Sequence, residues 1–185
     1  MVTLWPHEPR LYVRFMVDVF FRKIYKLKET IILMKMNKLI LMRGLPGSGK
    51  STWIKEKGYE ICAICPDTIR LMYATPNPTI SQSYDGKVWK IINDILETRM
   101  KNGFFTILDA TNITWKSIKP YVKLCEDYEF ELEIMDFSNV PLEECLKRNK
   151  EREYYKYVPE EVLRRMSLQL KTTDNDQIEK FIKKK

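Results

Sequence analysis

Residues 44 to 53 read GLPGSGKSTW. The spacing is Gly, four residues, Gly, Lys, then Ser, which is the pattern of a phosphate-binding loop. Gly44, Gly47 and Gly49 permit backbone angles that a side chain forbids, so the loop can curl with its N–H groups pointing inward. Lys50 adds a mobile positive charge for the outer phosphates of a nucleoside triphosphate, and Ser51 offers a hydroxyl to Mg²⁺. The helix that follows aims the positive end of its dipole at the same point. A nucleotide site built on Gly44, Pro46, Gly47, Ser48, Gly49, Lys50, Ser51 and Thr52 is expected, with ATP and Mg²⁺ as cofactors.

The flanks support the motif. KLILMR, residues 38 to 43, is a short apolar run that reads as a buried strand, and STWIKEK after Lys50 can continue as a helix. Beyond the loop the chain keeps alternating. YEICAICP reads as a second strand, and PDTIRLMY opens a helix with Asp67 in its first turn. TPNPTISQS, residues 75 to 83, is a loop. KVWKIINDILETRMKNG has the period of an amphipathic helix and a glycine stop. FFTIL is the next strand, ending in Asp109, Ala110, Thr111 and Asn112. TWKSIKPYVKLCEDY is a helix expected to kink near Pro120. FELEIMDF is a strand, PLEECLKRNKER a helix, and Pro159 opens the last helix, PEEVLRRMSLQL.

Strands alternating with helices predict an α/β fold, a parallel sheet with helices on both faces. Ligands of such folds sit at the carboxyl ends of the strands. The loop, Asp67 and the turn from Asp109 to Asn112 all lie at strand exits, so they converge on one crevice.

Composition narrows the class. The chain has 185 residues, 44% hydrophobic and 31% charged, which suits one domain with a core. Four Cys and no secretory signal argue against a disulfide scaffold, and a cytoplasmic location is expected. Cys62 and Cys65 are three apart in an expected strand, so their thiols diverge and read as packing rather than a metal or redox pair. The one His excludes a His-based metal site or a Ser-His relay. The net charge of +7 points weakly to an anionic partner.

Residues 1 to 33 interleave apolar residues with charges, and Arg14, Asp18, Arg22 and Lys23 break any span long enough for a membrane helix. Residues 1 to 35 read as an extension before the domain, consistent with a start at Met34 or Met36. The domain is expected over 36 to 172, followed by a basic tail over 173 to 185.

Three cations and one acid are the candidates for chemistry. Asp67 follows the second strand, and Arg70, three residues on, shares its helix face. A base beside an arginine suits an acceptor carrying both a hydroxyl and a phosphate. Taken alone, the pair also reads as a helix cap with a surface arginine. Arg148 and Arg152 are four apart in an expected helix and would project together as a lid over a triphosphate. Alone, they read more readily as a solvated helix end.

The ordered set resembles the kinase domain of the bacteriophage polynucleotide 5′-hydroxyl kinases, within the P-loop kinase superfamily. The likeness runs through most of residues 38 to 170. It rests on GLPGSGKSTW, the Asp67-x-x-Arg70 pair, Thr111-Asn112, LKRN with Arg152, and VPEEVLRRM. The resemblance implies that Lys50 contacts the donor phosphates and Ser51 the metal. It implies Asp67 as general base for a 5′-hydroxyl, and Arg70 with Thr111 gripping the phosphate on the 3′ side of the accepting nucleotide. Arg152 would stabilise the transferring phosphoryl group, and Arg148 would line the donor nucleotide. The implied substrate is a 5′-hydroxyl nucleic acid end, and a ligase using the product is an expected partner.

The chain departs from the family in two places. Relatives carry Ser-Asp-Thr-Asn where this chain has Asp109-Ala110-Thr111-Asn112, so no role carries over to Asp109. Cys65-Pro66 stands where a polar or basic pair is common. No Asp-x-Asp-Gly motif is present, so no 3′-phosphatase activity is expected. Two other readings share the loop: a kinase for a small hydroxyl acceptor, such as a nucleoside or an antibiotic, and a nucleotide-binding module without turnover.

Overall fold

The computed structural model describes residues 36–73 and 82–182. The expected N-terminal extension and most of the loop over 75 to 83 lie outside them. Four parallel strands form the sheet: β1 (Lys38–Arg43), β2 (Ala63–Ile64), β3 (Thr106–Leu108) and β4 (Glu131–Asp136), in the order β2-β3-β1-β4. The helices are α1 (Lys50–Glu56), α2 (Pro66–Met72), α3 (Asp85–Lys101), α4 (Trp115–Asp127), α5 (Leu142–Lys150), α6 (Glu160–Thr172) and α7 (Asp176–Glu179).

KLILMR forms one of the two inner strands because its middle is apolar on both sides. Leu39 and Leu41 pack with α3, α4 and Ile178 on one face, while Ile40 and Met42 pack with Ile54, Phe105 and Ile107 on the other. A third cluster, of Leu45, Ile113, Cys145, Leu146, Leu163 and Leu170, joins the loop to α5 and α6. Arg43 ends β1 fully buried, with Nη1 donating to Asp136 Oδ2 at 2.7 Å and Nη2 to Asn175 Oδ1 at 2.8 Å. Removing one partner of such a buried pair is costly, because the other charge stays buried.

Several elements differ from the sequence reading. YEICAICP is not a strand throughout: Glu60–Cys62 is a 3-10 turn, and only Ala63–Ile64 pairs. Cys62 packs in the core and Cys65 stands at the N-cap of α2; both are free thiols. The helix over Trp115–Asp127 runs through Pro120 without interruption. Pro120 lies on its exposed side, so the ring displaces no packed neighbour, while Ile118, Tyr121 and Cys125 bury the other face. α5 stops at Lys150, which leaves Arg152 in the turn beyond it and not on the helix beside Arg148.

Residues past 172 also pack on the sheet. Ile178 is buried in the main cluster, Phe181 stacks on Trp115, and Ile182 bridges Ile134 in parallel register. Ile178, Phe181 and Ile182 thus lie within the stretch expected as a basic tail. Among the described residues no helix is long and apolar enough to cross a membrane.

Candidate active site

The loop between β1 and α1 takes the curled form its glycines allow. Gly47 has φ +82° and Gly49 φ +97°, both in the left-handed region. At Gly47 a Cβ would also lie 2.7 Å from the Cys145 carbonyl oxygen, so the position excludes a side chain twice over. Gly44 N donates to Thr111 O at 2.9 Å, which ties the loop to the exit of β3. Asn112, buried with φ +41°, donates from Nδ2 to Met42 O at 2.8 Å and fixes the same junction.

Lys50 lies inside the loop, with Nζ donating to Gly44 O at 2.9 Å and Leu45 O at 2.7 Å. Ser48, also buried, presents Oγ 3.4 Å from the same nitrogen. Burial lowers the Lys50 pKa to about 8; Asp109, Cys145 and Asp67 act against that, and Arg152 adds to it. Pro46 is half-buried on the loop, and Ser51 and Thr52 are exposed on the first turn of α1.

Ser51 Oγ donates to Asp109 Oδ2 at 2.7 Å. Burial raises the Asp109 pKa, and its bond to Ser51 and the Lys50 charge hold it down in part. Asp67 and Arg152 also act on Asp109, with opposite signs. Lys50, Asp109, Asp67 and Arg152 therefore share one electrostatic neighbourhood, although they come from four separate places in the chain.

Asp67 lies in the first turn of α2. Arg70 Nη1 donates to Asp67 Oδ1 at 2.7 Å, as their spacing predicts. Arg70 also donates from Nε to Asp85 Oδ1 at 2.8 Å, a contact outside the sequence reading. Burial works to lower the Arg70 pKa, but the two carboxylates outweigh it and hold it above the ordinary value.

On the lid side, Asn149 is buried and exchanges two bonds with Val158, through Nδ2 to O at 2.7 Å and from N to Oδ1 at 3.1 Å. That pair closes residues 150 to 157 into a loop, which holds Arg152 half-buried, with its N–H donating to Asn149 O at 3.3 Å. Arg148 is exposed, with Nε donating to Glu144 at 2.7 Å and Nη1 3.5 Å from Gly47 O. Thr111 gives its backbone carbonyl to the loop and is half-buried.

Sequence reasoning placed Asp109 in the crevice without a role and missed Asp85. Asp109 follows β3 at a strand exit, which was the available signal. Asp85 begins α3 beyond a loop, and no spacing links it to Arg70.

Residues 39–172 match the family model AAA_33, an AAA domain. The chain belongs to that family. A chain of the Pnkp1/Rnl/Hen1 RNA repair complex is 28% identical with a TM-score of 0.64, over 78% of this chain and 46% of that one. A second structure of the Pnkp1/Rnl/Hen1 complex aligns at 28% identity and a TM-score of 0.52, over 66% of this chain and 45% of that one. The AvrRxo1-ORF1:-ORF2 structure with ATP aligns at 16% identity and a TM-score of 0.59, covering 79% of this chain and 51% of that one, a likeness of fold alone. This chain spans about half the length of each of these three chains. The parallel sheet, the loop and the helices are those of a P-loop kinase fold, and the domain is a kinase-like, nucleotide-binding one.

Proposed function

We propose that this domain transfers the γ-phosphate of ATP to the 5′-hydroxyl end of DNA or RNA. The observation that carries the proposal is the Asp67–Arg70 pair at 2.7 Å in the electrostatic neighbourhood of Lys50. An acceptor with a free hydroxyl and a phosphate on its other side needs a base next to a cation, and a plain alcohol does not. The 28% identity to a chain of the Pnkp1/Rnl/Hen1 RNA repair complex supports the same substrate class.

The loop N–H groups and Lys50 hold the donor phosphates, with Pro46, Ser48 and Thr52 shaping the cradle. Arg148 lines the donor nucleotide. Ser51 and Asp109 bring a hydroxyl and a carboxylate oxygen together, a donor set that fits Mg²⁺ completed by phosphate oxygens. Bound there, the ion would offset charge on the β- and γ-phosphates. Asp67 accepts the proton of the 5′-hydroxyl as its oxygen bonds to the γ-phosphorus. The bond from that phosphorus to the β-phosphate oxygen breaks, and ADP leaves. Arg152 balances charge on the moving group. Arg70 and Thr111 hold the acceptor's 3′-side phosphate. A 5′-phosphate end is the substrate of a ligase, so a ligase is the fitting partner.

The test is transfer of labelled γ-phosphate with Mg²⁺ to a 5′-hydroxyl oligonucleotide, a nucleoside 3′-monophosphate and a plain nucleoside. Labelling of the first two, lost in Asp67→Asn, is the expected result. Labelling of the nucleoside alone would move the function to a small-molecule kinase.

A further inference from the structure

The contact between Arg70 and Asp85 is not used by the reaction above. Arg70 has a side chain only 11% exposed, while Asp67 and Asp85 are partly open to solvent. Asp85 begins α3, fifteen positions after Arg70. Beside the pair, Tyr73 and Tyr84 stack with centroids 5.2 Å apart and planes 16° apart. The end of α2 and the start of α3 are thus joined by an ion pair and by a ring stack.

An arginine beside one carboxylate favours a two-bond fork that occupies both oxygens. Here Arg70 meets Asp67 through Nη1 and Oδ1 alone, while Nε is held by Asp85. Asp67 Oδ2 and Arg70 Nη2 make no hydrogen bond among the described residues. They are the two atoms the acceptor needs: one takes the hydroxyl proton, and the other donates to the phosphate.

We propose that Asp85 is a positioning residue for the acceptor: by holding Arg70 at Nε, it leaves Asp67 Oδ2 and Arg70 Nη2 without a partner among the described residues. The proposal rests on the roles given above to Asp67 and Arg70. Without Asp85, Arg70 is free to close on Asp67 as a fork, which removes both atoms at once. The plainer role for Asp85 is a first-turn acid that stabilises α3 through its dipole. That role changes stability but not the balance between acceptor and ATP.

The experiment is labelled phosphate transfer to a 5′-hydroxyl oligonucleotide, with Michaelis constants for acceptor and ATP measured separately. The proteins are the unsubstituted chain, Asp85→Ala and Asp85→Asn, with thermal unfolding of each. Asp85→Ala is expected to lower kcat/KM for the acceptor by about 100-fold, since misplaced reacting groups cost that much. Asp85→Asn keeps an oxygen for Nε and is expected to lose roughly tenfold or less. The KM for ATP should stay within about twofold in both, because the donor cradle is untouched. Acceptor kinetics unchanged in both variants, or acceptor and ATP terms falling together with stability, would overturn the positioning role alone. No transfer by the unsubstituted protein would overturn it together with the proposed function.

Discussion

The glycine loop and the Asp67–Arg70–Asp85 cluster, proposed above as the donor and acceptor sites, are built in opposite ways. The loop is eight consecutive residues, Gly44 to Ser51, and the groups proposed to hold phosphate are largely its backbone N–H donors. The cluster is three side chains, Asp67, Arg70 and Asp85, from two helices, held by bonds of 2.7 and 2.8 Å. A contiguous backbone site depends on conformation, so a substitution breaks it through strain. A side-chain cluster depends on partners, so a substitution breaks it by freeing a neighbour. Losses in the loop should therefore appear in donor binding and losses in the cluster in acceptor kinetics.

The largest expected effect is from Lys50→Met, which removes the cation from the cradle. Transfer should fall by about 10³, as for loss of a transition-state charge partner. A fall under tenfold would mean that the loop works without its lysine. Gly47→Ala comes next. Strain at φ +82° and a Cβ 2.7 Å from Cys145 O should weaken ATP binding. Calorimetry is expected to show a loss on the order of 100-fold, with the acceptor KM little changed.

Arg70→Lys sharpens the other side of the comparison. An ammonium cannot serve Asp67, Asp85 and a phosphate with a planar fork. The acceptor KM should rise by about tenfold while ATP binding is retained. If ATP binding falls as well, the two regions are not separable.

An effect of similar size is that of pH on the loop. Burial lowers the Lys50 pKa to about 8, and a bound phosphate favours the ammonium and raises it again. Binding then takes up a proton above that pH, so affinity falls as pH rises through it. ATP should bind about tenfold more weakly at pH 9 than at pH 7, and the trend should vanish in Lys50→Met.

Legibility follows the same division. Asp67 and Arg70 could be paired from their spacing because a helix puts i and i+3 on one face. The same rule pairs Arg148 with Arg152, but α5 ends between them, and Arg152 lies in the loop that the Asn149–Val158 bonds close. Asp109 lacked a family counterpart at its own position. Its bond to Ser51 depends on β3 lying next to β1.

The sequence by itself determined the alternation of strands and helices, the loop and the identity of its lysine and serine. Those features are local: each depends on periodicity, on glycine's backbone freedom or on a spacing of a few residues. The tertiary structure alone decided which acid meets Ser51 and which holds Arg70. It also decided that the chain past residue 172 joins the core through Ile178. Those pairings link residues far apart in the chain, and no local propensity encodes them until the sheet order brings their ends together.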